Sequence, residues 1–501
     1  MTSLKTQLKY GLSKVSWRLK QRCKYFTIVT CSLWLVACSS STPLLQLTDG
    51  VYWSDRYQSY LVVADGLISR YQWTPPSCQM AAAGLLPKVF SQDQLRSQHR
   101  WLAADTQFLV LQRESDGLPV VFRRESFLPS NCGVQTVASA EINVETLAAT
   151  FSQFNQPLSP SDLLQWRYLA ERLDTEFAQA DLATNLALFE LLTEMLKGSG
   201  DRHAFIFAPE LESYQQVGDF SQDEAERAQA QAVFAQVLEE SELQSRCEKN
   251  LWFGALNREQ YYLGLTSLQG FTADAPYGEA GQRCLQRALS AVARDLENHQ
   301  QTQQVRPELI VDLRFNAGGS LLLASQFANS LAPSPRPLSI INRHAVQEQR
   351  SPDLSGLYQG GRVLVSEITA SAAEHLAHGM RIRGFRLEGQ RTRGAFSPTT
   401  VRTLPNGWIV GLSMYPTSDV RDGWNQAYPE GRGLIPDRQI PLQLLLPTEL
   451  AGVLAQWQSN PAPLAQAHPM GYFHCAAPRD GIRANQIRFL AFAQLPPANH
   501  G

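Results

Sequence analysis

From residue 47 the chain runs in short apolar stretches broken by turn signals. Tyr60-Leu61-Val62-Val63 leads into Ala64-Asp65-Gly66, and Phe108-Leu109-Val110-Leu111 into Ser115-Asp116-Gly117. Such runs between Gly, Asp and Ser read as strands, so residues 47–132 predict a small antiparallel β unit. From about residue 144 the period changes. Leu163, Leu164, Trp166, Leu169, Leu173, Phe177 and Leu182 recur at helical spacing with few glycines between them, which predicts a helical region. Residues 222–240 also read as a helix, polar and Ala/Gln-rich, and predict a surface position.

After Trp252 the pattern alternates. A strand over 261–265, a helix over 282–298, an apolar strand over 309–313 and a helix behind Gly318-Gly319 follow in turn. A strand over 363–368, a helix over 371–383 and a hairpin come next, the Pro405-Asn406-Gly407 turn joining strands over 400–404 and 408–415. Alternation of this kind predicts an α/β unit. The expected organisation is a β-rich domain over 38–142, a helical region over 143–249 and an α/β domain over 250–447, with a Pro- and Ala-rich tail over 448–501.

Charge changes the picture at one end only. The formal net charge is −2, so no overall basic field exists to hold a nucleic-acid backbone, and no nucleic-acid partner is expected. The first residues differ. Lys5, Lys9, Lys14, Arg18, Lys20, Arg22 and Lys24 precede an apolar run over 25–36, with no acid among them. The run is shorter than the roughly 20 residues of a membrane span, so it reads as an export signal over 1–37. It ends in Leu35-Val36-Ala37-Cys38 followed by three serines. This resembles the lipobox of bacterial lipoproteins. The resemblance implies cleavage before an acylated Cys38 and a tether to the membrane on the periplasmic side of the envelope, with Ser39 leaning towards the outer membrane.

Export places the later cysteines, Cys78, Cys132, Cys247, Cys284 and Cys475, where disulfides persist. Their number is odd, so at least one lacks an intramolecular partner. Cys78 with Cys132 and Cys247 with Cys284 would each close a local loop, although spacing does not fix connectivity. No spacing suits a zinc site, and no metal or cofactor is implied.

Candidate chemistry sits at two strand-to-helix turns. Thr369-Ala370-Ser371-Ala372-Ala373-Glu374 would hold a hydroxyl at a helix N-terminus, where free amides favour an oxyanion. Ser371 with Glu374 three residues on also fits a plain capping box. The stretch from Asp312 to Ser320 carries Gly318-Gly319, which lets backbone amides approach a substrate carbonyl. It lacks the spacing of a P-loop, and phosphate or cofactor binding by this turn is the weaker alternative.

Together these stretches resemble the tail-specific (C-terminal processing) serine peptidase family. Its pattern is an Asp-x-Arg-x-Asn-x-Gly-Gly turn, a Ser-Ala-x-Glu helix, a Gly-x-x-Thr-x-Gly loop and a late Gly-x-x-Pro-Asp. Here these read Asp312 to Gly319, Ser371 to Glu374, Gly389 to Gly394, and Gly433 to Asp437, in the family's order. The resemblance covers about residues 252–441 and implies a crotonase-like αβ core with Ser371 as nucleophile. It implies an oxyanion site at Gly318 or Gly319 and Ala372, and a polypeptide substrate.

One position departs from the family. Members with a Ser-Lys dyad carry the lysine just after the loop's last glycine, where this chain has Ala395, and its last lysine is Lys249. The remaining branch resembles the tricorn protease core, with an upstream His as base and a late Glu. His203, in Asp201-Arg202-His203-Ala204-Phe205, and Glu430 fill those places, with Arg202 where that branch has a supporting Ser. His375 and His378, on the Ser371 helix, read as a solvated face. The expectation is a serine endopeptidase with a Ser-His mechanism. A scaffold that keeps the fold but has lost catalysis, and binds peptides or envelope proteins, is the competing reading.

Overall fold

The structure is a computed structural model. It describes residues 46–440 apart from 82–86, 114–116, 134–137, 155–157, 177–181, 218–223, 274–278, 333–335, 342, 347–351 and 415–419. The export segment, Cys38, Cys475 and the tail lie outside the described residues.

The first part is β-rich, as the short apolar runs between turn signals predict. Eight antiparallel strands between Gly50 and Glu125 form one sheet, with the last strand, Pro119–Glu125, returning to pair with the first, Gly50–Ser54. Tyr52, Leu61, Val63, Ile68, Phe90, Leu109 and Leu111 supply its core. Cys78 is bonded to Cys132 and Cys247 to Cys284, the two local pairs.

The region expected to be helical contains the helices Ala140–Phe154, Pro160–Glu176 and Leu182–Gly198, and also two strands, Phe205–Ala208 and Ser213–Gln216. These strands join the later hairpin, Thr399–Thr403 and Ile409–Ser413, in a four-stranded antiparallel sheet. Trp408, Leu404 and Val410 of that hairpin share a core with Leu192, Met195 and Leu196 of the helices. The helix Glu224–Glu240 corrects a second expectation, because Ala230, Phe234 and Leu238, four residues apart, are buried. Its stripe is narrow but apolar, and Phe234 packs on Phe315 with ring centroids 4.7 Å apart.

The α/β domain is built on a seven-stranded sheet. Strands Gln244–Arg246, Leu251–Ala255 and Gln260–Leu265 pair antiparallel; then Glu308–Asp312, Gly361–Val365, Arg386–Gly389 and Arg438–Gln439 add in parallel. Helices Glu279–Gln303, Leu321–Leu331 and Ala372–Arg381 fall between the parallel strands. The long helix is amphipathic, with Leu285, Ala288, Leu289, Val292 and Leu296 on its buried face.

Arg402 and Gln72 tie the N-terminal sheet to the hairpin. The buried Arg402 guanidinium donates to the carbonyls of Tyr57 at 3.0 Å and Trp73 at 2.9 Å. The Gln72 amide donates to Val401 O and accepts from Thr403 N–H, each at 2.8 Å, so that one side chain occupies the hydrogen-bonding edge of a strand.

Candidate active site

Ser371 closes the turn between the strand Gly361–Val365 and the helix Ala372–Arg381, at φ 54° and ψ −128°. Few residues other than glycine adopt such a conformation, and it costs about 1–3 kcal/mol. The surrounding bonds hold it there. Ser371 N–H donates to Ala395 O at 2.9 Å, Ala370 N–H to Asn316 O at 3.2 Å, and Thr369 Oγ1 to Leu313 O at 2.8 Å. The Ser371 side chain makes no capping bond and is partly exposed.

Ser371 and Glu374 therefore form no reciprocal capping box. The Glu374 carboxyl is fully buried and turns to the following loop, accepting from Thr392 Oγ1, from Gly394 N–H at 2.8 Å and from Ala395 N–H at 2.8 Å. Burial pushes its pKa up to about 7, against the pull of those donors and the Ser371 backbone. Ala395, which stands where a dyad lysine would, is fully buried between Glu374 and the Ser371 amide.

The first glycine turn lies directly against Ser371. A Cβ on Gly318, at φ +102°, would stand 2.7 Å from Ser371 Cβ and 2.8 Å from Ala370 O. Its own amide is committed, because Gly318 N–H donates to Asn316 Oδ1 at 2.9 Å while Asn316 Nδ2 donates to Leu265 O at 3.0 Å. Leu268 bridges to Gly319 through Gly318 O and Ser320 N–H, so the Gly319 amide points to the opposite side. Ala372 is the first residue of its helix, and its amide has no carbonyl in the preceding turn to meet. Gly319 and Ala372 thus remain as donors from the expected set, and Gly318 supplies close approach. Beneath this turn Arg314 and Asp312 form a fully buried pair, Nη2 to Oδ2 at 2.6 Å, joined by Tyr262 Oη to Asp312 Oδ2 at 2.9 Å.

His203 sits in the turn before the strand Phe205–Ala208. Its amide donates to Asp201 Oδ1 at 2.9 Å, and its Nδ1 lies 3.5 Å from Ser413 Oγ. Nε2 is buried with no hydrogen-bond partner among the described residues. Enclosure by protein, then the nearby Arg393 guanidinium, lower the imidazole pKa to about 3, so the ring is neutral. Glu430 accepts from Phe396 N–H at 3.0 Å and Ser397 N–H at 2.8 Å, both on Oε2. Burial, then Glu374 and Asp201, raise its pKa to about 8.

The loop 392–397 is thus the common neighbour of the expected residues. Ser371 bonds its Ala395, Glu374 its residues 392–395, Glu430 its Phe396 and Ser397, and His203 senses its Arg393. No hydrogen bond joins His203 to Ser371 or to Glu430 among the described residues; in sites without substrate such bonds are often long. His375 and His378 do not form a solvated face. His375 is fully buried, with Nε2 on Phe396 O at 2.7 Å and Nδ1 on Ser339 Oγ, and His378 Nε2 meets Asp422 Oδ2 at 3.0 Å. Both rings pack edge-on to Tyr428, whose position in the sequence gave no sign of the contact.

A mixed α/β sheet with a serine held at a strained strand-to-helix turn, beside a glycine whose place leaves no room for a Cβ, defines the class. Residues 267–440 match the model of peptidase family S41, which supports a tail-specific-protease-like fold for this part of the chain. Among solved structures, a putative peptidase from Parabacteroides merdae is 17% identical, with 64% of this chain and 96% of that one covered and a TM-score of 0.40. The photosystem II D1 C-terminal processing protease is 25% identical over 40% of this chain and 47% of its own, with a TM-score of 0.28. A lipoprotein from Streptococcus agalactiae is 16% identical, with 67% and 97% covered and a TM-score of 0.36. No curated protein matches the sequence.

Proposed function

We propose that this protein is an envelope-anchored serine endopeptidase that cleaves polypeptide segments by acyl transfer through Ser371. The observation that carries the reading is Ser371 itself, held at φ 54° and ψ −128° with its hydroxyl uncommitted to the helix cap. Strain of this kind persists where the surroundings over-determine it, and it concentrates at functional sites. An unassisted hydroxyl is a weak nucleophile, so a base is required. In this reading His203 Nε2 takes the Ser371 proton as Oγ attacks the scissile carbonyl. The amides of Ala372 and Gly319 receive the oxyanion. Collapse breaks the C–N bond, His203 returns the proton to the leaving amine, and water then releases the acyl group by the same route. Glu430 supports the relay at longer range, through the loop amides it holds. Cys38, acylated after export, tethers the protein to the membrane, and the Ser39 context favours the outer membrane.

Ser371→Ala, His203→Ala and the double variant are expected to be about equally inactive while folded, because members of one catalytic unit are non-additive. A peptide cleaved by wild type and by His203→Ala, but not by Ser371→Ala, would remove His203 as base. The competing scaffold reading draws on Ala395 in the lysine's place and on the missing Ser371–His203 bond. A fluorophosphonate probe separates the two: the scaffold reading wins if folded wild type stays unlabelled. For the anchor, fatty-acid incorporation should vanish in Cys38→Ala, and equal incorporation would refute it.

A further inference from the structure

A histidine base needs one ring nitrogen bare, and which one is bare follows from what the other nitrogen meets. Around His203 the partners are fixed by the sheet. The strand Ile409–Ser413 pairs antiparallel with Phe205–Ala208, Ile409 opposite Phe207, Val410 opposite Ile206 and Gly411 opposite Phe205. Continued by two residues, the same register sets Ser413 opposite His203. Gly411 makes the approach possible, since a Cβ there would meet the Phe205 ring at 2.0 Å.

Ser413 is buried and doubly bound to Asp201. Its Oγ donates to Asp201 Oδ1 at 2.8 Å and its amide to Asp201 Oδ2 at 2.7 Å. The same carboxylate accepts the His203 amide at 2.9 Å. A serine hydroxyl has one proton, and here Asp201 takes it, so towards His203 the oxygen can only accept. Nδ1 lies 3.5 Å from that oxygen, at the outer limit of hydrogen bonding. Nε2, the other nitrogen, is buried without a partner among the described residues.

We infer that Ser413, oriented by Asp201, is a positioning residue that holds His203 as the Nδ1–H tautomer and leaves the Nε2 lone pair free to take a proton. The inference rests on the reading of His203 as the base. It supplies from the facing strand the hydroxyl support that Arg202, beside His203 in sequence, does not provide. When Ser371 Oγ bonds to the substrate carbonyl carbon, its proton passes to Nε2. The imidazolium so formed keeps Nδ1–H directed at Ser413 Oγ, whose proton remains on the bond to Asp201.

The test uses the full-length protein, with ¹⁵N-labelled histidine and His203→Gln to assign the ring. Wild type should show a protonated Nδ1 and a bare Nε2, and Ser413→Ala should show a mixture of tautomers. In peptide cleavage Ser413→Ala should lose about ten- to a hundredfold in kcat, with KM within about twofold of wild type. Ser413→Thr keeps the hydroxyl and should recover both the tautomer and most of the rate; it also serves if the alanine variant does not fold. A Ser413→Ala protein with the wild-type tautomer overturns the inference, whatever its rate. A wild type without turnover or fluorophosphonate labelling, but with a Ser413-dependent tautomer, overturns the peptidase reading and leaves the positioning in place.

Discussion

Glu374 should make the stability of the fold fall as pH rises through neutrality. Its carboxyl is fully buried, and its folded pKa of about 7 stands above the reference value of 4.5. Between those values the folded state binds a proton that the unfolded state has released. The contribution is therefore fully present below about pH 4.5 and is lost as pH rises through about 7. A displacement of this size corresponds to roughly 3 kcal/mol, at about 1.4 kcal/mol for each pH unit. Glu374→Gln removes the ionisation and keeps the shape. With its amide oxygen in the place of Oε1 it still accepts from Thr392 and Gly394, but its NH₂ then faces Ala395 N–H, at a cost of about 1–3 kcal/mol. The variant should accordingly be the less stable protein at pH 5, and the gap should close or reverse by pH 8. Urea unfolding of both proteins at pH 5, 6, 7 and 8 measures this directly. Because Glu374 helps to raise the Glu430 pKa, part of the Glu430 dependence disappears with it. Parallel stability curves for the two proteins over this range would refute the reasoning.

Gly318→Ala should abolish fluorophosphonate labelling, since the added Cβ falls 2.7 Å from Ser371 Cβ; labelling at the wild-type rate would show that the glycine turn does not abut the nucleophile. Arg402→Met removes the donor to the Trp73 carbonyl and one of the two donors to the Tyr57 carbonyl, which keeps Ser59 Oγ, and should destabilise the protein by about 1–3 kcal/mol in urea titrations, with hydrogen exchange rising first around residues 57–73. Cys284→Ser opens the link between residues 37 apart in sequence and should cost about 3–4 kcal/mol, read as a lower melting temperature that added reductant does not lower further through this bond.

The alternation of strand and helix after Trp252 was legible because the central strands Glu308–Asp312 and Gly361–Val365 carry short apolar runs and the long helix keeps a clear stripe from Leu285 to Leu296. The polar strands Arg386–Gly389 and Arg438–Gln439 gave no such signal. The strands Phe205–Ala208 and Ser213–Gln216 were not legible either. They are short, and although they pair with each other, Phe205–Ala208 is held on its other edge by Ile409–Ser413, about two hundred residues later, a partner that no local window contains. The helix Glu224–Glu240 failed for a related reason: three apolar residues at four-residue spacing look sparse until Phe315 is found opposite them.

At the site, the same local pattern had two meanings that sequence could not separate. Ser91 and Gln94 form a real capping box, with Gln94 N–H on Ser91 Oγ at 3.2 Å and Ser91 N–H on Gln94 Oε1 at 2.8 Å. Ser371 and Glu374 share its three-residue spacing and form none, because Ser371 has left the extended backbone of a cap, φ −84° and ψ 163° at Ser91, for φ 54° and ψ −128°. What draws Glu374 away is the run of donors in the loop 392–395, which lies next to it only once the sheet has formed. The vacant lysine position could be counted from the motif. The His203 offered in its stead, with Asp201 two residues before it, could be read as well, but the hydroxyl beside that ring could not, since it comes from Ser413 and only the strand register brings the two together. A departure from a family pattern is thus visible in a sequence as a missing residue, whereas its compensation is a contact and has to be sought where the fold returns to the same place.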